Sequence, residues 1–482
     1  MHPTNTVIVF SDEHNRDVAG CYGDRIARTP HLDRLAQSGT LFSNAYTNSP
    51  VCVPARASFA TGRYPHQIGA WDSVSPYDGS VAGWGARLLS AGHEVVSIGK
   101  LHFRSTDDPN GFSQEILPMH VHEGVGWLSS LLRDPPVPLE AAKDMALDIG
   151  AGETAYTRYD REVTARACEW IAEAAGRDRE KPWVLFVGLV APHFPLVAPD
   201  AFFQLYEDAD LPPPRQYAED ERPRHPVIDA LRTASNYDTG FDAERVRIAR
   251  QAYYGLCSFM DDNLGKIVQA IAESGQSETT RIVYSSDHGD NIGHRGLWGK
   301  SVMYEDSVAV PLIAAGPGLP AGAVVDTPVS LVDLHPTILA FAGAQPQEAD
   351  DGLPGTSLAE IIQHPHGDRA VFSEDHDWSS ITGMFMLRKG DWKLVRYPGY
   401  PSQLFDLRND PYEMTDLGAS PDHRNVAAMM DAELAKIVDA EAVNARAFAD
   451  QARKIEHYGG REAILRSEDL GYTRPPVGDA AD

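Results

Sequence analysis

Cysteine is scarce in this chain: Cys21, Cys52, Cys168 and Cys257 are all there are in 482 residues. So few and so scattered, they exclude a disulfide framework and a thiolate zinc cluster, and they fit a reducing compartment. Cations are short as well. Lys and Arg total 42 against 69 Asp and Glu, a formal charge of −27, which argues against nucleic acid or an anionic membrane as partner. Long apolar runs are missing too. Residues 1–6 lead straight into the short apolar run 7–10, far below the apolar region of a signal peptide, and nothing downstream approaches a membrane span. A cytoplasmic protein with no membrane partner is the expectation. No internal repeat or low-complexity block interrupts the chain.

What is present reads as a layered α/β protein. At 482 residues the chain exceeds the roughly 250–300 at which one core stops growing, so a large domain over 1–370 and a smaller one over 371–482 are expected. Val- and Ile-rich runs at 7–10, 94–98, 183–189, 281–285 and 312–315 are each followed by a loop and a helical pattern. Near-continuous apolar strands of this kind predict a mostly parallel sheet sandwiched by helices. Thr29-Pro30 predicts a capped helix start. Longer helices are expected over 253–273 and over 332–342, the latter closed by Gly343. Stretches 134–156 and 208–242, with Pro135-Pro136 and Pro212-Pro213-Pro214, predict long irregular loops of functional kind. Beyond 371, short strands at 371–373, 383–387, 393–396 and 403–405, with Lys389-Gly390-Asp391 as a turn, predict a small antiparallel sheet. A helical tail over 425–454 and a Pro/Gly-containing end at 474–482 complete the chain.

The chemistry gathers at strand ends. Asp12 closes the first strand and Asp287-His288-Gly289 closes the strand 281–285. Ligands of such sheets bind beyond the carboxyl ends of strands, and carboxylates with an imidazole describe a divalent metal site that leans to hard oxygen ligation. Cys52 opens Cys52-Val53-Pro54-Ala55-Arg56, followed by Thr61-Gly62. As a free thiol, with a reference pKa of about 8.5, it would be mostly protonated at neutral pH and has no His or Asn partner nearby in sequence.

Cysteine, proline two on, arginine four on and a closing Thr-Gly make the signature that resembles the sulfatase family, whose fold is alkaline phosphatase-like. The resemblance covers about residues 5–345 and, more loosely, the remainder. It implies that Cys52 is converted by a formylglycine-generating or equivalent maturation enzyme into formylglycine (3-oxoalanine). It also implies one divalent metal, Ca2+ or Mn2+, held by Asp12, residue 52, Asp287 and His288. The family's Asp pair is here Asp12-Glu13; Glu13, one methylene longer, departs from it. Gly99-Lys100-Leu101-His102 resembles the family's Lys-x-His pair, Ala191-Pro192-His193 its third histidine, and Lys300 its late lysine. Arg56, at i+4 from Cys52, faces the same side. The implied chemistry is attack on sulfur by the hydrated aldehyde. Arg56, Lys100 and Lys300 stabilise charge, His193 and Lys300 protonate the departing alcohol, and His102 deprotonates the second hydroxyl to expel sulfate.

The implied substrate is a small anionic ester, an aryl or small alkyl sulfate. The alternative is a phosphonate monoester or phosphodiester hydrolase with the same site; a silent binding protein would need broken ligands, and none is broken. Asp72, Trp127, Tyr254 and the run Glu374-Asp375-His376-Asp377-Trp378 are either the leaving-group side or ordinary core and surface residues. A cationic alcohol such as choline would suit aromatics with carboxylates, although Ser73 stands where similar choline-type sequences carry asparagine. The amphipathic tail predicts a homo-oligomer, a dimer or a tetramer.

Overall fold

A computed structural model of the chain describes residues 2–138, 145–235, 240–378, 380–467 and 473–476. Residues 139–144 and 236–239, parts of the stretches 134–156 and 208–242 expected to be irregular, and the end beyond 476 lie outside the described residues.

Eight strands form the central sheet. In chain order they are β1 (Asn5–Asp12), β2 (Gly39–Phe42), β3 (Val95–Lys100), β4 (Gln114–Met119), β5 (Val184–Pro192), β6 (Thr280–Ser286), β7 (Leu312–Ala315) and β8 (Ala323–Val325). Across the sheet they run β8-β2-β7-β6-β1-β5-β3-β4, and every pair is parallel except the two made by β7. The helices used below are α1 (Pro30–Ser38), α2 (Cys52–Thr61), α3 (Ala155–Ala175), α4 (Pro226–Ser235), α5 (Ala243–Glu273), α6 (Leu334–Ala342), α7 (Arg424–Leu434) and α8 (Ala440–His457).

Strand β1 shows why the run 7–10 has no polar alternation. Val7 and Val9 join an apolar cluster with α3 and α5, while Ile8 and Phe10 join one with α2 and α6. Both faces are covered, so each position wants an apolar side chain. The four parallel neighbours β6, β1, β5 and β3 therefore point their carboxyl ends to one edge, and that edge carries the site.

Three local findings correct the sequence expectations. Helix α5 begins at Ala243 rather than 253, because Asp242 accepts from the Arg245 amide at 2.9 Å and caps the start. Helix α4 lies inside the stretch expected to be irregular; its buried Val227, Ile228 and Leu231 pack into tertiary clusters that a local reading does not see. Thr29 stands at the N-cap of α1 with Pro30 in the first turn, as expected, but its hydroxyl accepts from the Gly20 amide at 2.9 Å and not from an amide of the helix. Asp261 of α5 takes the His31 and Leu32 amides instead, at 3.0 and 2.7 Å.

Beyond the main sheet, β9 (Ala370–Asp375), β10 (Met384–Lys389), β11 (Trp392–Arg396) and β12 (Gln403–Asp406) form an antiparallel meander. Gly390, at φ +57°, makes the expected tight turn. The tail is two helices, α7 and α8, broken at residues 435–439. Met430, Leu434, Val443 and Ala447 pack on Phe372, Phe385, Leu387, Leu394 and Leu404 of the meander. The apolar face on which the expectation of an oligomer rested is thus covered within the chain. Among the described residues no helix is long and apolar enough to cross a membrane.

Candidate active site

Four strand ends deliver groups to the shared edge. Strand β1 ends at Asp12, β6 is followed by Asp287 and His288, β5 by His193, and β3 ends at Lys100 with His102 two residues on. The approach of β3 to β5 needs glycine twice. A β-carbon on Gly99, at φ +98°, would sit 2.2 Å from the Gly188 carbonyl oxygen, and one on Gly188 would sit 2.1 Å from that of Lys100. The β3–β4 register shifts between Ile98 and Lys100, the kind of bulge that re-aims a side chain. Helix α2 is buried along its whole length and places Cys52 in its first turn, where the helix dipole favours negative charge.

Cys52 Sγ lies 3.1 Å from Lys300 Nζ, 3.2 Å from His288 Nε2 and 3.5 Å from Asp12 Oδ1. Arg56, one turn further along α2 and 1% exposed, ties three elements together. It donates to Asp287 Oδ2 at 2.8 Å, to Asp12 Oδ2 at 3.3 Å and to the Lys100 carbonyl at 2.9 Å. Lys100 Nζ pairs with Asp12 Oδ2. Burial pushes the Asp12 pKa up, but Lys100, His193 and Arg56 outweigh it and hold the carboxyl well below its usual range. Burial, seconded by Asp12, pushes the Cys52 thiol up to about 12. Lys300 is opposed by burial, yet Cys52, Glu13 and Asp12 keep it firmly an ammonium.

The donor set fits a divalent cation. His288 Nδ1 donates to the Gly289 carbonyl at 2.9 Å, which fixes the tautomer and leaves the Nε2 lone pair facing Asp12 Oδ1 at 3.7 Å and Asp287 Oδ1 at 3.6 Å. Ligand atoms of Asp12, Cys52, Asp287 and His288 all lie within 4.8 Å of one another, and all four residues are buried. Two carboxylates and an imidazole suit a hard or borderline ion.

With that geometry in place, the comparisons identify the family. The model described as "Sulfatase" matches residues 4–344. The chain belongs to the sulfatase family. Residues 293–440 of this sulfatase also match the model "N-sulphoglucosamine sulphohydrolase, C-terminal". It is similar to the choline-sulfatase of Rhizobium meliloti (strain 1021), at 31% identity over 99% of this chain and 94% of the relative. Arylsulfatase K of Homo sapiens is 28% identical over 97% of this chain and 87% of the relative. The crystal structure of the phosphonate monoester hydrolase of Agrobacterium radiobacter superposes with a TM-score of 0.73 at 26% identity, over 92% of this chain and 96% of that one. The fold is accordingly alkaline phosphatase-like, and the sulfatase is a sulfuric ester hydrolase.

The two other histidines expected at the site of this sulfatase are arranged differently from each other. His102, at φ +53°, is buried, and neither ring nitrogen has a hydrogen-bond partner among the described residues. His193 donates from Nδ1 to the Phe194 carbonyl at 2.6 Å and turns Nε2 to Glu13 Oε2 at 3.3 Å. Burial first, and then Lys100 for His102 and Lys300 for His193, drive both pKa values well below the usual histidine range. Both rings are therefore neutral at pH 7. Glu13 is not grouped with Asp287 and His288; its Oε2 accepts from Lys300 Nζ at 3.1 Å. Burial raises its pKa to about 8.

Three expected substrate residues are held elsewhere. Asp72 accepts from the Val74 amide at 2.9 Å, from Ser75 Oγ at 2.7 Å and from Gln451 Nε2 of α8 at 2.8 Å. Tyr254 donates its hydroxyl to Asp24 Oδ2 at 2.8 Å. The Trp127 ring lies 5.5 Å from that of Trp378. Among the described residues none of the three hydrogen-bonds a member of the cluster.

Two supporting carboxylates were missed. Asp160 of α3 accepts the Val190 and Ala191 amides at 2.8 and 2.7 Å and so fixes the strand end that carries His193. Its signal was an aspartate inside the apolar face Tyr156, Tyr159 and Val163. Asp290 accepts the Ile292 amide at 2.6 Å and the Gly299 amide at 3.1 Å, closing the loop that ends in Lys300. Only its closeness to Asp287 hinted at a role.

Proposed function

We propose that this sulfatase hydrolyses sulfate monoesters of aryl or small alkyl alcohols, with residue 52 as formylglycine and one divalent ion, Ca2+ or Mn2+, beside it. The observation that carries the reading is the surroundings of Cys52 Sγ: an ammonium at 3.1 Å, an imidazole nitrogen at 3.2 Å and a carboxylate at 3.5 Å. A thiol pushed up to about 12 is a poor nucleophile there, because its thiolate fraction at pH 7 is about one part in 10⁵. An oxygen carried on the same β-carbon would meet the same three groups. The names of the relatives, choline-sulfatase and arylsulfatase K, support the ester class.

Asp12, Asp287, His288 and residue 52 would hold the ion, and when bound it supplies Lewis acidity that polarises an ester oxygen and favours the ionised nucleophile. Arg56 fixes the two carboxylates against each other. Lys300, beside residue 52, and Lys100, paired with Asp12, supply positive charge where charge on the sulfuryl oxygens develops. His193 and Lys300 face the departing oxygen, and the Lys300 ammonium supplies its proton while the neutral His193 ring lies beside it. His102, neutral and with both nitrogens unengaged, takes a proton at residue 52 and so allows the enzyme to reset.

A second reading, phosphonate monoester hydrolysis, draws on the likeness to the Agrobacterium enzyme. The deciding measurement is kcat/KM for an aryl sulfate and an aryl phosphonate monoester with one leaving group, on protein whose residue 52 has been checked by mass. Preference for sulfate is expected from Lys100 and His102; a preference for phosphonate would hand the lead to the second reading. Chelation is expected to lower kcat/KM by about 10²-fold or more, the rate equivalent of the several kcal/mol a Lewis acid supplies. Readdition of Mn2+ or Ca2+ should restore it, and full activity after exhaustive chelation would exclude the ion from the reaction.

A further inference from the structure

We propose that Glu13 is a positioning residue that holds His193 and Lys300 together on the leaving-group side of residue 52, and that it is not a ligand of the divalent ion. Its backbone is fixed at both ends. The amide donates to Asp287 Oδ1 at 3.2 Å, and the carbonyl accepts the Tyr253 hydroxyl at 2.6 Å. Between them the residue sits at φ +68°, a left-handed conformation uncommon for a residue with a β-carbon. A single oxygen, Oε2, then meets Lys300 Nζ at 3.1 Å and His193 Nε2 at 3.3 Å. The side chain is fully buried. An aspartate at this position would be one methylene short of that shared contact.

The rival explanation is a second ion on Asp12, Glu13 and His193, whose ligand atoms also lie within 4.8 Å of one another. Two ammonium groups already occupy that space: Lys100 is paired with Asp12 and Lys300 with Glu13. A dication there would face both at contact distance in a buried, weakly screened setting. The inference rests on the reading that His193 and Lys300 face the departing alcohol. Failure of that reading shows separately: His193→Ala and Lys300→Ala would then each keep full activity.

The test compares Glu13→Ala with Glu13→Gln in the formylglycine-containing enzyme, with Mn2+ stoichiometry and affinity measured by titration beside kcat and KM. Expected is one Mn2+ per chain in all three proteins with affinity unchanged within about twofold. Glu13→Ala should lower kcat by about 10–100-fold, the range for residues that orient a catalytic group, with KM little moved. Glu13→Gln should recover most of the loss, because an amide still bridges an ammonium and an imidazole. In the Lys300→Ala background, Glu13→Ala should cost much less than in the wild type. Loss of Mn2+ affinity in both variants, or two Mn2+ per chain in the wild type, would overturn the proposal. So would a glutamine variant as slow as the alanine one, or a cost undiminished in the Lys300→Ala background. If Glu13→Ala does not fold, a crystal of the wild type with Mn2+ decides. Glu13 Oε2 should remain on Lys300, and a Glu13 oxygen bonded to the ion would refute the inference.

Discussion

Replacing Cys52 with alanine should lower kcat/KM for an aryl sulfate by on the order of 10⁴-fold or more, the scale seen when a covalent nucleophile is removed. The fold should survive the change, because the neighbours of Sγ are anchored independently of it: Asp12 and Asp287 on Arg56, His288 on the Gly289 carbonyl, and Lys300 on Glu13. A sharper form of the prediction uses unconverted protein. With its thiol pushed up to about 12 by burial and by Asp12, a preparation carrying only cysteine at position 52 should be as inactive as the alanine variant. Activity across preparations should then scale linearly with the aldehyde fraction read by mass spectrometry. Cysteine-only protein that turns over at the converted rate would remove formylglycine from the reaction altogether.

The strand ends that build the site were legible because the sheet is buried on both faces. Val7 to Phe10 and Arg281 to Ser285 could be placed from apolar runs alone, and the residues just past them had to meet at one edge. The order of those strands was not legible. It depends on which helix covers which face, and β7, although recognised as a strand, runs antiparallel to both of its neighbours. Short strands such as β2, four residues long, have too little pattern to read. Long-range capping was equally hidden: Asp261 serves α1 from 229 and 230 residues away, while Thr29, the local candidate, bonds elsewhere. The family signature located Arg56, Lys100, His102, His193 and Lys300 but could not orient Glu13. Its direction depends on a backbone turn held by Tyr253 of α5 and by Asp287 after β6. Tyr254, one residue along the same helix, reads from the sequence as either a leaving-group contact or an ordinary core or surface residue, and its hydroxyl is engaged with Asp24. Neighbours in a helix point about 100° apart, and the sequence does not say which of two adjacent tyrosines reaches the Glu13 backbone.

Replacing Arg56 with alanine should be the most destabilising single change in the site. The guanidinium is 1% exposed and neutralises Asp287, which is 0% exposed, while sharing Asp12 with Lys100. Without it, the hydrogen bonds left to Asp287 among the described residues are those from the Glu13 and His288 amides, and the Lys100 carbonyl loses that donor. Removing one partner of a buried pair typically costs about 3–5 kcal/mol, an effect that should lower the urea midpoint with the slope unchanged. Lysine at position 56 should restore little, because a single ammonium cannot reach two carboxylates and a carbonyl in the fan that Nε, Nη1 and Nη2 form. A linkage follows from the same charges. Asp12 and Asp287 are also the carboxylates that suit a divalent ion, so a bound cation replaces part of the positive charge that Arg56 supplied. Saturating Mn2+ should therefore raise the urea midpoint of Arg56→Ala by more than that of the wild type, since ligand binding stabilises in proportion to its affinity for the folded state. Equal shifts in the two proteins would mean that the ion and the guanidinium do not share the two aspartates. An unchanged midpoint for Arg56→Ala would mean that the three hydrogen bonds of Arg56 contribute nothing to stability.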